Sequence, residues 1–237
     1  MSETIVILTG AGISAESGIR TFRGPDGLWE GHRVEDVATP EGFEADPVLV
    51  QRFYNERRRA LLDGILPNAA HTAIARLQRE WPGDVLLVTQ HIDHLHEQGG
   101  SPQVLHMHGE LLKARCTLCQ AVQSWEQDLS AESVCTTCET AGGMRPHVVW
   151  FGEMPLGMGE IEATLQRADL FAAIGTSGQV YPAAGFVNAA KYAGAKTIEI
   201  NLASTGTSEV FDEHLLGPAS EKVPLWVDTL LGSRKGK

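Results

Sequence analysis

The sequence predicts an α/β protein whose parallel sheet is covered by helices on both faces. Short uninterrupted apolar runs, helical stretches between them and a glycine turn after the first run carry that prediction. Ile5-Val6-Ile7-Leu8 is continuous in its hydrophobicity, as a parallel strand buried on both faces must be. Val85-Leu86-Leu87-Val88, Leu170-Phe171-Ala172-Ala173-Ile174-Gly175 and Thr197-Ile198-Glu199-Ile200-Asn201 repeat the pattern. Between them, 69–80 follows the helix-start signal Pro67-Asn68, and 159–167 and 183–192 also read as helix. Two stretches break the alternation. Residues 24–66 are loop-rich, then helical after Asp46-Pro47, an N-cap followed by proline at the first helical position. Residues 109–145 hold every cysteine. Both are expected as insertions that form a smaller module beside the sheet. The tail, 232–237, is expected to fray.

Composition narrows the classes. An apolar fraction of 43% over 237 residues is ample for a core. Thirty acidic residues against nineteen basic ones give a net charge of -11. Such a surface repels phosphate backbones, so nucleic acid is not expected as a partner. There is no basic region leading into a long apolar stretch, and no apolar run of the roughly 18 residues that a membrane span needs. The expectation is a cytoplasmic protein without membrane contact, in a compartment where disulfides are disfavoured.

Gly10-Ala11-Gly12-Ile13-Ser14-Ala15 fits G-x-G-x-x-G/A and sits after a strand, the context in which that turn admits a dinucleotide pyrophosphate near a helix N-terminus. A tight turn without a ligand is the alternative. No second strand ending in an acidic residue follows about 20 positions on, as a dehydrogenase would have it. Ser17-Gly18-Ile19-Arg20-Thr21-Phe22-Arg23-Gly24 stands there instead, and Asn201 becomes the candidate for the ribose.

Cys116-x-x-Cys119 and Cys135-x-x-Cys138 are fifteen residues apart, a spacing that closes a tetrahedral thiolate zinc site. Four sulfurs leave no open coordination position, so the metal is expected to be structural. Four reduced buried thiols, or a nucleic-acid-binding ribbon, are the other readings. Residues 120–134 carry Glu126, Asp128 and Glu132 and no Lys or Arg, which argues against the ribbon.

Thr89-Gln90-His91-Ile92-Asp93-His94-Leu95-His96 follows the second apolar run, where the carboxyl ends of strands face a ligand crevice. His94 and His96 read as ordinary surface or core groups. His108 precedes Gly109 at the border of sheet and cysteine module, where two domains would form a cleft.

These motifs together are specific. Gly10-Ala-Gly-Ile-Ser-x-x-Ser-Gly-Ile-x-x-Phe-Arg23, Thr89-Gln90-x-Ile92-Asp93, His108-Gly109, the paired Cys-x-x-Cys and Gly175-Thr176-Ser177, in that order, resemble a sirtuin. The resemblance runs from Ile5 to Leu230 and is closest to bacterial class III sirtuins, through Arg145-Pro-His-Val-Val-Trp-Phe-Gly-Glu153 and Tyr181-Pro-Ala-Ala-Gly185. It implies an NAD-dependent protein-lysine deacylase and a Rossmann-like NAD-binding domain from 1–30, 66–108 and 146–237. A helical insertion at 31–65 and a zinc-binding module at 109–145 complete it. It implies that Gly10, Ala11, Gly12 and Ser14 cradle the diphosphate, and that Phe22 and Arg23 belong to the cofactor loop. Gln90, His91, Ile92 and Asp93 then lie around the nicotinamide ribose. Gly175, Thr176, Ser177, Asn201, Leu202 and Ala219 line the adenosine side. His108 is the general base. Val149, Phe151, Gly152, Gly178 and Val180 flank a substrate peptide as added strand pairing. Nicotinamide and O-acyl-ADP-ribose leave as products, and a monomer is expected.

Tyr54 and Arg57 lie three apart on the helix after Asp46-Pro47 and share a face. Spacing alone reads as a solvated surface. The class III resemblance implies instead a Tyr-x-x-Arg pair that binds the carboxylate of succinyl- or malonyl-lysine, with acetyl-lysine also accepted. One position departs from the family: His91 stands where sirtuins have Asn. An NAD-binding regulator, or a mono-ADP-ribosyltransferase with weak deacylation, is the alternative that this departure supports.

Overall fold

The computed structural model describes residues 3–20, 29 and 31–233. In chain order the elements are β1 (Ile5–Thr9), α1 (Val34–Val37), α2 (Pro40–Ala45), α3 (Pro47–Leu62), α4 (Ala69–Glu80), β2 (Val85–Thr89) and α5 (Leu95–Gln98). There follow β3 (Leu105–His106), β4 (Gly109–Cys116), β5 (Val122–Ser124), β6 (Met144–Val148), α6 (Met158–Leu165) and β7 (Leu170–Ile174). The chain closes with α7 (Phe186–Tyr192), β8 (Lys196–Asn201), β9 (Glu213–Leu216) and α8 (Ala219–Gly232).

Six strands form one sheet in the order β3-β2-β1-β7-β8-β9, paired in parallel throughout. The strand order reverses at β1, which places a crevice beyond its carboxyl end, between β1 and β7. The apolar runs are continuous because both faces are covered. Ile5, Ile7, Leu87, Ile174 and Ile198 pack with Ile74 and Leu77 of α4 and with Val223 and Val227 of α8. Val6, Leu8, Val88, Phe171 and Ala173 pack on the opposite face with Ile161 and Leu165 of α6 and Phe186 and Val187 of α7.

One expectation fails locally. The glycine turn does not open an α-helix but two 3-10 turns, Ala11–Ile13 and Ala15–Ser17, ended by Gly18 at φ 95°. The Asn68 side chain takes the Ile13 carbonyl at 2.8 Å and the Ser17 hydroxyl at 3.0 Å, so the Ile13 carbonyl is already engaged by a donor from another element.

The second lobe unites both insertions. Pro47 begins α3 at its first position, and the Asp46 carboxylate accepts from the Leu49 amide at 2.9 Å, the cap read from the sequence. β4, β5 and β6 form a three-stranded antiparallel sheet, which draws Met144–Val148 into this lobe. Helix α3 is fastened to it by polar groups. Asn55 donates to the Leu129 carbonyl at 2.9 Å and accepts from the Leu129 amide at 2.8 Å. Arg58 is fully buried and donates to the Leu111 carbonyl, the Asn55 side-chain oxygen and the Gln127 carbonyl at 3.0, 2.7 and 3.2 Å. Burial lowers its pKa to about 10, against the pull of Asp128.

At the far end of this lobe the sulfurs of Cys116, Cys119, Cys135 and Cys138 lie within 4.8 Å of one another. Cys116–Cys138 and Cys119–Cys135 are 3.8 and 3.6 Å apart. A tetrahedron with Zn–S bonds of about 2.3 Å has an edge of about 3.8 Å, so the donor set fits zinc. Each half is built alike. Gln120 donates its amide to the Cys116 carbonyl and Glu139 to that of Cys135, both at 2.9 Å. Each closes its turn at positive φ, 62° and 56°.

Purified protein is expected to carry about one zinc per chain by elemental analysis. Stripping it, or Cys135→Ser, is expected to raise hydrogen exchange across 116–143 while β1 and β7 keep their protection. Unchanged exchange there would remove the structural role of the metal.

Candidate active site

The glycine turn and the β7 end meet as bare backbone. Gly10 donates its amide to the Ile174 carbonyl at 3.0 Å, and Gly12 to Gly175 at 2.9 Å. A Cβ on Gly10 or Gly12 would fall 2.7 Å from the Gly175 carbonyl oxygen, and one on Gly175, at φ 61°, would fall 2.5 Å from the Ile13 nitrogen. These glycines are therefore required by the protein's own packing, and they leave a smooth floor beside the crevice.

A cavity of about 730 Å³ opens over that floor and extends under the second lobe. Gly10, Ala11, Gly12, Gly175, Thr176, Ser177, Asn201, Leu202 and Ala219 line one end of the expected set. Gln90, His91, Ile92, His108, Tyr54, Val149, Phe151, Gly152 and Val180 line it as well. The volume and the elongated lining suit a dinucleotide together with a side chain. Ser14, Asp93, Arg57 and Gly178 are not among the lining residues. Ser14 and Asp93 lie beneath the floor, bonded to each other at 2.7 Å and buried. Gly178 instead faces Thr207, whose hydroxyl a Cβ would meet at 2.2 Å. Arg57 lays its guanidinium 3.2 Å over the Phe53 ring and donates to the Phe53 carbonyl at 2.6 Å. It also sits 5.4 Å from the ring of Trp29, which does line the cavity. Phe22 and Arg23 lie outside the described residues.

The geometry fixes the His108 proton. Its Nδ1 is 2.9 Å from the Gln90 carbonyl oxygen, which can only accept, so Nδ1 carries the hydrogen and Nε2 keeps a lone pair. Burial lowers the His108 pKa; the Gln90 bond opposes this and the charge on His91 reinforces it. Gly109 makes the placement possible: at φ 77° it passes so close to the His147 carbonyl that a Cβ would fall 2.1 Å from its oxygen. Gln90 is steadied in turn by donating to the Thr176 hydroxyl at 3.0 Å, across the crevice from β2 to β7.

The second-lobe wall is built from the stretch 145–153 that carries the class III resemblance, through contacts that the motif does not spell out. Trp150 donates its indole N–H to the Tyr54 hydroxyl at 3.0 Å. Burial holds Tyr54 well above the usual phenol range, against that bond and the Arg57 charge, so the phenol keeps its proton and can donate it. Glu153 takes both oxygens to Arg145 at 2.7 and 3.0 Å and accepts from the Trp150 amide at 2.8 Å. Arg145 also stacks 3.3 Å over the Trp150 ring. A charged pair eight residues apart has no periodic signature, which is why the pattern of the sequence did not reveal it.

Beneath β2 lies a group of buried histidines. His96 is buried, as expected of a core group, and its Nε2 meets the Thr9 hydroxyl at 3.0 Å, while its Nδ1 has no hydrogen-bond partner among the described residues. His71 accepts the Asn68 amide at Nδ1, 3.2 Å, and faces the Ser14 hydroxyl with Nε2 at 3.3 Å. Burial lowers their pKa values to about 4 for His71 and about 3 for His96.

Comparison with known proteins agrees with this arrangement. A model of the Sir2 family matches residues 10–182. A protein of Vibrio parahaemolyticus serotype O3:K6 named NAD-dependent protein deacylase is 60% identical over 228 residues, 96% of this chain and 95% of that one. A protein of the same name from Escherichia coli K12 is 59% identical over 232 residues, 98% of this chain and 83% of that one. Among solved structures, a Sir2 homologue in complex with NAD aligns with a TM-score of 0.88 at 39% identity, covering 98% of this chain and 91% of that one. Sir2Af2 bound to a myristoylated histone peptide aligns with a TM-score of 0.76 at 33% identity, covering 100% and 94%. Among the described residues no helix is long and apolar enough to cross a membrane.

The buried histidines make stability fall with acid. Both pKa values lie below the unfolded value of about 6.5, so the unfolded chain binds protons first, and stability rises with pH between the two. Asp93, held low in the fold, acts in the same direction at lower pH. Thermal unfolding from about pH 7 to about pH 4.5 is expected to show a steady fall in Tm, flattened by His96→Gln. A Tm independent of pH over that range would contradict the neutral buried rings.

Proposed function

Because this chain belongs to the Sir2 family and is an NAD-dependent protein deacylase, we propose that it removes succinyl and malonyl groups, and acetyl groups as well, from lysine side chains, releasing nicotinamide and O-acyl-ADP-ribose. The observation that carries this reading is the joint lining of one cavity by a histidine with a free Nε2 lone pair and a tyrosine that must donate its proton. NAD supplies the electrophilic ribose carbon to which the acyl oxygen transfers as nicotinamide leaves. Every other task falls to the chain. The backbone of Gly10, Gly12 and Gly175 gives the diphosphate a floor without side chains. His108 Nε2 takes the proton from a ribose hydroxyl, as a neutral imidazole near the working pH can. Trp150 and the Glu153–Arg145 pair hold the wall beside the incoming lysine. Val149, Phe151 and Gly152 on one side and Gly178 with Val180 on the other flank the place of a substrate strand, with Phe151 and Gly152 exposed.

The acidic acyl preference rests on Tyr54 and Arg57. The Trp150 N–H occupies an acceptor position of the Tyr54 oxygen, so the hydroxyl proton remains for a carboxylate. Arg57 supplies positive charge one helical turn away, beside Trp29. A hydrogen bond to a charged group is worth roughly 1.5–3 kcal/mol, or about 10- to 100-fold in binding.

Mass spectrometry of succinyl-, malonyl- and acetyl-peptides with and without NAD tests the reading. Tyr54→Phe and Arg57→Met are expected to raise KM for the acidic acyl groups about tenfold or more and to leave acetyl-peptide turnover within about threefold. Equal losses on all three would remove both roles. His108→Ala is expected to abolish acyl loss. With the unaltered protein, kcat/KM should fall on the acid side with an apparent pKa below the ordinary histidine value of about 6.5, following the burial of His108. Nicotinamide release without acyl-ADP-ribose would assign ADP-ribosyl transfer instead.

A further inference from the structure

Glu199 carries a buried carboxyl that no step of the reaction uses. Its neighbours on β8, Ile198 and Ile200, pack toward α4 and α8, so Glu199 faces the other side of the sheet. There it is 2% exposed, beside Phe171, Val187 and Phe211, and it does not line the large cavity. A carboxyl in such surroundings is destabilising unless donors satisfy it. Two of its donors come from one loop. The Thr205 hydroxyl donates to Oε1 at 2.7 Å, and the Ser208 hydroxyl donates to Oε2. Nδ1 of His214, the paired residue on β9, lies 3.3 Å from Oε2. The Ser208 oxygen in turn accepts the Thr205 amide at 2.8 Å, which closes the loop on itself. Both hydroxyl hydrogens are thereby committed to the carboxyl. The Thr205 oxygen can then only accept, so Thr207, 3.1 Å away, must donate its hydroxyl hydrogen to it.

This hydroxyl network backs two stretches of the cavity wall. Leu202, Ala203 and Thr205 form the first, next to Asn201 at the end of β8. The reacting ribose must stand by His108 at the end of β2, so the adenosine half of NAD extends across the glycine turn toward this stretch. The second begins at Gly178, where φ is 65° and a Cβ would meet the Thr207 hydroxyl at 2.2 Å. The space left between Gly178, Thr207, Glu199 and Phe211 is about 20 Å³, too small for a side chain. From there the chain runs directly into Gln179 and Val180, which line the cavity beside the proposed substrate strand. We propose that Glu199 is a positioning residue with two outlets. Through Thr205 and Ser208 it holds 202–208 against the sheet for the adenosine half of NAD, and through Thr207 it sets the Gly178 turn for the acylated peptide. Its removal is therefore read in both affinities, while the reacting groups stay in place.

The peptide outlet rests on the substrate strand of the reading above, and binding tests both outlets apart from acyl preference. Calorimetry with ADP-ribose and, separately, with an acetyl-lysine peptide measures them. Glu199→Gln is expected to weaken ADP-ribose about tenfold and the peptide about threefold, and Glu199→Leu, which keeps no acceptor, to weaken both further. Thr207→Val, which keeps the shape and loses the hydroxyl, is expected to weaken the peptide about threefold and leave ADP-ribose within about twofold. In each variant KM should carry the change and kcat stay within about threefold. Ser208→Ala lies outside the cavity lining. It should reproduce the ADP-ribose loss and add less than its own effect in the Glu199→Gln background. Hydrogen exchange should rise across 202–210 while β7 and α7 keep their protection. Unchanged affinities in Glu199→Gln overturn the proposal, as does a fall in kcat with both KM values kept. Should Glu199→Gln loosen the whole sheet, Ser208→Ala and Thr207→Val decide, and the absence of a selective loss in either overturns it. Unaltered acyl preference in Tyr54→Phe would sink the acidic-acyl reading and leave a weakened ADP-ribose affinity in Glu199→Gln standing. An unchanged ADP-ribose affinity beside the expected acyl preference would do the reverse.

Discussion

At the carboxyl ends of β1 and β7 two backbones pass so close that no side chain fits between them. Gly10 and Gly12 bond across to Ile174 and Gly175, and a single Cβ at any of these glycines would fall under 3 Å from backbone. That contact lies where the strand order reverses, and the rest of the site follows from it. It leaves the mouth of the crevice bare, sets the spacing between Gln90 and Thr176, and through the Gln90 carbonyl decides which nitrogen of His108 bears a hydrogen. Overpacking of this kind costs about 1–3 kcal/mol per methyl in a tight interior, and here it would also displace His108.

The two lobes divide the work by the kind of atoms they present. The parallel sheet offers mainly backbone and short polar side chains, which suits a ligand with a charged diphosphate. The second lobe offers aromatic surface: Trp29, Tyr54 and Trp150 line the cavity, with Arg145 stacked behind and tied to Glu153.

Much of this was readable in the residues. The four sheet strands named from apolar runs are there because burial on both faces demands such runs, and Asp46-Pro47 and Asn68 start helices by local capping that needs no tertiary context. The cysteine spacing carried the thiolate cluster. Elements governed by distant partners were hidden. Helix α8 contains Pro224, a local breaker that packing against α4 overrides, and β9 is a short, largely exposed edge with no apolar run. The 3-10 turns after Gly10 depend on Asn68, and the inward turn of Ser14 depends on His71; neither is adjacent in sequence. Family resemblance placed Asp93 beside a ligand; in the structure its carboxylate is buried and accepts from Ser14 and Leu95, while His91 lines the cavity.

Arg58 carries a full charge with zero solvent exposure, and its three acceptors are neutral oxygens drawn from β4, from its own helix and from the segment ahead of the second cysteine pair. An ion solvated in this way by amide dipoles cannot be half released, because losing one acceptor strands the charge before water reaches it. Helix α3 and the metal-bearing sheet must therefore open together or not at all. The cysteine cluster lies outside the cavity lining, yet it sits within the same cooperative unit as Tyr54, which lines it.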